Sequence, residues 1–224
     1  MNVHHYLSIY KKNKTFYLKN RRFFLNYNMD IKKHENFKSL GESNKTQIVL
    51  GHTSREIEYF IYSLYNRRKG HFLKIPNYII SRVGVINEIL PPEKYAEYSY
   101  LKKINETSII ILLENLGWLE KEPLKNHYIN WIGDIYKGKT VDRKWRDYYH
   151  WEPYSDIQIE QTAILCKDLM RRFNIPFEFV GHNTKVSGVE KFSGILTKSN
   201  FDGNCTDLSP AFNFDKFKNY IYNE

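Results

Sequence analysis

Cysteine is scarce in these 224 residues: Cys166 and Cys205 are the only two, so a disulfide framework cannot hold the chain together. Long apolar runs are also missing. The densest, residues 109–113, is the length of a strand, and nothing approaches the span of a membrane. The first fourteen residues contain neither an apolar segment nor a small-residue cleavage site, so no secretory signal is expected. A route of export that needs no signal peptide stays open. Internal repeats and low-complexity tracts are absent. Acidic residues are few at the start: residues 1–45 hold three against ten Lys/Arg, which puts +7 of the formal +9 in that stretch.

What is present is a folding composition. Hydrophobic residues make up 42% and aromatics 16%, enough for a sizeable core and too much for a disordered chain. Residues 1–45 interleave basic residues with Tyr6, Tyr10, Phe16, Tyr17, Phe23, Phe24 and Tyr27, and read as a basic arm or small hairpin. Such an arm suits an anionic wall polymer, an acidic protein surface or nucleic acid, or equally serves as a solubilising extension with no specific partner. Nucleic acid is the weakest of these, because no recognition module accompanies the charge. The polar cluster at 41–45 marks a boundary to a domain over 46–224.

From there the periodicities give a coarse order. Residues 47–50 are a short β-branched strand running into Gly51-His52. Thr53 and Glu56 have capping-box spacing, and Ile57, Phe60, Ile61, Leu64 and Tyr65 then mark one face of a helix ending near 66–70. Residues 77–82 and 85–90 are strands about a Val83-Gly84 turn, and 108–113 is a strand buried on both faces. Residues 116–150 read as an irregular loop with one short strand near 128–132; Trp118, Trp131, Trp145 and Trp151 either line a cleft or, the commoner role for tryptophan, anchor the packing. A second capping box, Ser155 to Gln158, opens a helix to about Phe173. Residues 175–180 read as the next strand, 187–203 as a long loop, and 215–222 as a last helix. The expectation is an α/β fold, a central mixed β-sheet flanked by helices, with the basic N-terminal arm attached.

The chemistry-bearing stretch follows the 175–180 segment. Gly181-His182-Asn183 delivers an imidazole, and Cys205-Thr206-Asp207 returns a thiol and a carboxylate. Imidazole with carboxylate or thiolate is a zinc donor set, but two ligands do not complete a site. Cys166 falls on an apolar helix face and reads as a small buried hydrophobe.

These pieces, in order, resemble the zinc-dependent N-acetylmuramoyl-L-alanine amidases, the amidase-2 family that includes phage lysins and peptidoglycan-recognition proteins. Gln47-Ile-Val-Leu-Gly-His-Thr is similar to the family's "IVIHHT" strand. Ile75-Pro-Asn-Tyr-Ile-Ile-Ser-Arg-Val-Gly is similar to "HYLIxRDG", and Asn105-Glu-Thr-Ser-Ile-Ile-Ile-Leu-Leu-Glu-Asn to "NxxSIGIELxN". Ser155, Gln158, an amphipathic helix, Ile175-Pro176 and then Phe179-Val-Gly-His182 follow the family's second half. Thr206-Asp-Leu-Ser-Pro-Ala-Phe212 has the Asp-to-Phe spacing of "T-D-P-G-P-x-F". The match runs collinearly over about 46–220.

The resemblance implies hydrolysis of the amide between N-acetylmuramic acid and L-alanine of peptidoglycan by zinc-activated water. Its metal ligands would be His52, His182 and Asp207, with Cys205 an alternative to Asp207. Glu114 would be a proton shuttle, and Asn77, Trp118 and Asn183 would contact the muropeptide. The departures are specific. Gly51 stands where the family carries its first histidine ligand. Leu112 stands at the family's strand glutamate, two residues before Glu114. Cys205 stands where a lysine often assists the transition state. Neighbouring strand residues face opposite sides, so His52 serves only where the strand has ended or bulges. The competing reading is an amidase fold without turnover, binding peptidoglycan or forming part of a virion.

Overall fold

The computed structural model describes residues 40–66, 74–182 and 184–223, and the backbone of two strands at 13–18 and 21–26. Most of the basic arm, the expected end of the first helix at 67–70, and Asn183 lie outside the described residues. Among the described residues, no helix is long and apolar enough to cross a membrane.

Two strands buried on both faces set the architecture. β-branched and leucine residues fill both, so each side of the pair must be covered by another layer. These are β4 (Gln47–His52) and β8 (Ser108–Leu113), paired in parallel from Gln47 opposite Ser108 to His52 opposite Leu113. The expected hairpin is β5 (Tyr78–Ile80) and β6 (Ile86–Glu88), antiparallel to each other, with β5 parallel to β8. On the far side β14 (Gly194–Thr197) lies parallel to β4. In the N-terminal segment β1 (Asn13–Leu18) and β2 (Arg21–Asn26) pair antiparallel, and β2 runs beside β6. The mixed sheet has the order β1-β2-β6-β5-β8-β4-β14, in agreement with the expected α/β class. Apart from it, β3 (Gly41–Glu42) pairs antiparallel with β7 (Lys94–Tyr95) and ties the start of the domain to the 91–95 turn.

The helices sort to the two faces by the parity of the strand residues beneath them. Ile48, Leu50, Ile109 and Ile111 meet α3 (Asp156–Phe173) and α4 (Phe214–Tyr222) through Ala163, Cys166, Leu169 and Phe217. Val49, Ile110, Leu112 and Leu196 meet α1 (Ile57–Asn66) through Ile61 and Leu64, and α2 (Lys102–Thr107) through Ile104. Each fully buried Leu or Ile contributes about 1.5–3 kcal/mol.

Three expectations are corrected. Residues 116–150 form a second, five-stranded antiparallel sheet: β9 (Trp118–Lys121), β10 (Tyr128–Ile129), β11 (Ile135–Tyr136), β12 (Val141–Trp145) and β13 (Tyr148–Trp151), in the order β11-β10-β9-β13-β12. Strands of two to five residues are too short for a period of two to show in sequence. Residues 175–180 contribute only a bridge, Phe179 opposite Ile195. The edge strand lies instead inside the expected 187–203 loop, where Gly194 passes so near residue 178 that a Cβ would meet the Glu178 carbonyl at 2.5 Å.

The capping of α1 also differs. Thr53 Oγ1 donates to the Arg55 carbonyl and not to the helix, because Arg55 bridges to Asn115 and the helix starts later. The Ile57 amide donates to Glu114 Oε1 at 3.2 Å, placing a carboxylate at the positive end of the helix. In α3 the Ser155 hydroxyl caps as expected, accepting from the Gln158 amide. The Gln158 side chain does not close the box. It donates to the carbonyls of Ile80 and Glu114, each at 3.0 Å, and ties α3 to the ends of β5 and β8.

Arg82 joins the same corner. Its guanidinium holds Glu114 at 2.5 Å and Glu152 at 2.6 Å, and both carboxylates are buried. Removing the cation would strand two buried negative charges. Arg82→Met is therefore expected to lower the unfolding free energy by about 3 kcal/mol, after allowance for the partial exposure of Arg82. Urea denaturation measures this, and a loss below about 1 kcal/mol would mean the network is solvated.

Candidate active site

In a parallel sheet the carboxyl ends of the strands share one edge, and polar residues just beyond buried strands open onto it. Here that edge carries His52 from β4, Trp118 after β8, and Lys198 after β14. Together with the 204–207 segment they line a cavity of about 360 Å³.

His52 is the last residue of β4, and the ladder continues through it without a bulge. Its ring therefore lies on the α3–α4 side, while Gly51 faces the α1 side. Asp207 spans the two. Its Oδ2 accepts from the His52 amide at 3.1 Å, and its Oδ1 stands 3.3 Å from His52 Nε2. The same Oδ2 lies where a side chain on residue 51 would begin: a Cβ there would meet it at 2.9 Å and the Tyr98 hydroxyl at 2.9 Å. The absence of a side chain at Gly51 makes room for the carboxylate. On its other nitrogen, His52 Nδ1 is 3.2 Å from the Tyr154 hydroxyl. Burial holds Tyr154 protonated by raising its pKa. The phenol can then donate to Nδ1, which puts the imidazole proton on Nε2, toward Asp207.

Burial also lowers the pKa of His52 below its ordinary 6.5, although Asp207 pulls the other way. Cys205 lines the cavity, and its Sγ donates to Asp202 Oδ2 at 3.0 Å. Burial first, and the neighbouring Asp207 second, push this thiol up to about 12. With no metal to displace its proton, the thiol stays protonated at neutral pH and is not a ready nucleophile. Trp118 is backed by Tyr148, stacked at 4.3 Å, and Trp131 stands exposed at the mouth.

The remaining expected residues are placed differently. His182 packs against Phe214 and Trp145, with ring centroids 4.7 and 5.2 Å away, and its Nε2 is 3.2 Å from the Leu208 carbonyl. Burial lowers its pKa too. Its contact is thus with the residue after Asp207, on the α4 side, and not with the cavity wall. Glu114 spends Oε1 on Ile57 and Arg82 and Oε2 on the Arg82 amide. Asn77 spends its amide on the carbonyls of Pro91 and Lys94, and its Oδ1 on the Ile110 amide. Lys198, Tyr98 and Tyr154 were missed, whereas Trp131, expected at a cleft, lines the cavity. Only Lys198 had a usable signal, its place just after a strand that the sequence hides.

Among the described residues, no three His, Cys, Asp or Glu side chains are grouped to hold a metal ion. The His52–Asp207 pair by itself fits zinc. Donors about 2.0–2.2 Å from a tetrahedral zinc stand roughly 3.3–3.5 Å apart, close to the 3.3 Å seen. His182, which the family resemblance would make the third donor, has its Nε2 against the Leu208 carbonyl.

Compared with known proteins, residues 42–192 match a family model described as N-acetylmuramoyl-L-alanine amidase. No curated protein sequence matches. Among solved structures, AmpDh3 from Pseudomonas aeruginosa in complex with an anhydromuramic pentapeptide is similar, at 13% identity and TM-score 0.50, over 82% of this chain and 62% of that one. The amidase LysC from Clostridium intestinale is 15% identical over 79% of this chain and 84% of its own, with TM-score 0.47. The Staphylococcus aureus hydrolase AmiA is 12% identical over 91% and 83%, with TM-score 0.49. The likeness to AmpDh3 is one of fold.

The two lowered histidines give a pH dependence. The unfolded chain takes up protons on its histidines below about pH 6.5, and the folded chain does so only at lower pH. Their contribution to stability is complete above about 6.5 and is lost as pH falls toward the folded values. The urea midpoint is expected to drop between pH 7 and pH 5, and to drop less in His52→Gln. Identical slopes for the two proteins would show that His52 is already charged in the fold.

Proposed function

This chain belongs to the N-acetylmuramoyl-L-alanine amidase family, and we propose that the cavity at the end of β4 is where it hydrolyses the amide between N-acetylmuramic acid and L-alanine. The observation that carries this placement is the His52–Asp207 pair, an imidazole oriented by a carboxylate inside a cavity rimmed by tryptophan. Hydrolysis adds water oxygen to the lactyl carbonyl carbon and breaks its bond to nitrogen. The products are a lactyl carboxylate and the free amine of L-alanine. Both ring nitrogens of His52 are engaged, Nδ1 with the Tyr154 hydroxyl and Nε2 with Asp207, so the imidazole can take the water proton and pass it to the departing nitrogen only at a nitrogen that one of these partners releases. Asp207 fixes the ring and stabilises its charged form. Trp118 and Trp131 offer flat apolar faces to the sugar or the lactyl group.

Zinc belongs to this proposal as a finer reading. His52 and Asp207 would hold it, with His182 as third ligand once its Nε2 leaves the Leu208 carbonyl. The metal would polarise the carbonyl and acidify water. A substrate contact by Asn183 is carried over from the family resemblance. On its +7 charge, the segment 1–45 is proposed to meet an anionic wall polymer or a phage structural protein. Salt-insensitive co-sedimentation with cell walls would argue against the first.

Purified without added metal and then supplied with zinc, the protein is expected to hold close to one zinc per chain by elemental analysis. His52→Ala and His182→Ala are each expected to lose it, and chelation to stop release of L-alanine-terminated peptide from purified peptidoglycan. Release that continues in metal-stripped protein would remove zinc from the mechanism. No release under any condition would leave peptidoglycan binding without turnover.

A further inference from the structure

The second sheet meets the cavity in two ways. Trp118 of β9 and Trp131, in the turn between β10 and β11, form its aromatic wall. The turn between β12 and β13 reaches a different segment. Trp145 pairs with Tyr148, so that turn consists of Arg146 and Asp147. The Arg146 guanidinium lies over the Trp145 ring at 4.9 Å, and its Nη1 donates to the Gly203 carbonyl. Gly203 immediately precedes residues 204–207, which line the cavity and include Asp207.

The loop around Gly203 is fixed at both ends by the body of the fold. Tyr100 Oη donates to the Phe201 carbonyl at 2.7 Å, and the Asp202 amide to the Lys198 carbonyl at 3.0 Å. At the other end the Ser199 amide donates to the Asp207 carbonyl at 2.8 Å. Between these anchors the Cys205 amide donates to the Asp202 carbonyl at 3.1 Å, so 202–205 turns as a unit. Its tip is not held by packing: a side chain on Gly203 would meet nothing within 4 Å. The bond from Arg146 joins that tip to the second sheet.

The backbone shows a cost for an arginine at this place. Arg146 has φ +55°, in the left-handed region, at the first position of a two-residue hairpin turn. Glycine takes that position easily, and a residue with a Cβ does not. Such strain persists where the surroundings hold it, and it gathers at functional sites. The surroundings here are the Trp145 ring and the Gly203 carbonyl.

We infer that Arg146 is a positioning residue for the cavity: through the Gly203 carbonyl it sets the 202–205 turn, and with it the Asp207 carboxylate, against the tryptophan wall carried by the same sheet. Arg146 does not itself line the cavity, so it acts through the loop. One sheet both faces the substrate and holds the segment that meets His52. The role rests on the amide-hydrolysis reading above.

The test compares Arg146→Gly and Arg146→Lys with wild type. Glycine adopts φ +55° without strain and removes the guanidinium. Thermal unfolding of Arg146→Gly is expected at an unchanged or higher temperature. On a soluble muropeptide its kcat is expected to fall by about 10- to 10²-fold, with KM within about threefold. Arg146→Lys keeps a donor and should recover part of the loss. Hydrogen exchange gives a readout that needs no turnover: the Ser199 and Cys205 amides should exchange about tenfold faster in Arg146→Gly, with those of β4 unchanged. A lower unfolding temperature in Arg146→Gly would make the arginine a structural brace and overturn the inference, as would a wild-type kcat or unchanged exchange at Ser199 and Cys205. Wild-type protein that never turns over, with exchange still faster in Arg146→Gly, would sink the hydrolysis reading and leave Arg146 as the residue that sets the loop.

Discussion

The parallel pairing of β4 with β8 is the constraint on which the rest depends. Both strands are buried along their whole length, so neither can carry a charged group until it ends. Chemistry is therefore confined to one edge of the sheet, where His52, Trp118 and Lys198 emerge around one cavity. The flanking strands inherit the same direction: β14 runs parallel to β4 and β5 parallel to β8. Three parallel strands, β14, β4 and β8, thus deliver side chains to a single cavity, and the loop bearing Asp207 needs only to cross that edge once.

The rim of that edge is held by polar groups that have no part in the cavity. Glu114 caps α1 and holds Arg82; Arg82 holds Glu152; Gln158 reaches from α3 to the carbonyls of Ile80 and Glu114. Asn77 closes the 91–94 turn against β8. All but the half-buried Arg82 are buried polar residues, and several stand near a strand end, the feature that marks a functional group in sequence. Hydrogen bonding separates them from His52 and Asp207: the atoms just named are spent on backbone and on each other, away from the open volume.

What the sequence made legible follows the length and regularity of each pattern. Residues 108–113, the α1 stripe from Ile57 to Leu64, and α3 with its Ser155 cap were readable because six or more residues repeat one period. The small sheet from Trp118 to Trp151 was not, because its strands are shorter than the window in which alternation can be counted. The exchange of 175–180 for 194–197 has another cause. Both are short apolar runs, and only tertiary pairing with β4 decides which becomes the edge strand. Missing it hid Lys198. His52 posed a different problem. The alternation rule placed its ring on the opposite side from Gly51, and it is there; the reach is supplied by Asp207, a residue 155 positions away, and no local pattern could announce it.

Gly51 also bears on what a substitution there would move. A histidine introduced at 51 would bring its Cβ to 2.9 Å from both an Asp207 oxygen and the Tyr98 hydroxyl, and to 3.0 Å from Leu112. All three are side-chain atoms, so the side chains would give way and the strand would not, and the carboxylate now resting in that space would be the group displaced. The missing side chain at 51 and the bond from the His52 amide to Asp207 are thus two halves of one arrangement: filling the first loosens the second.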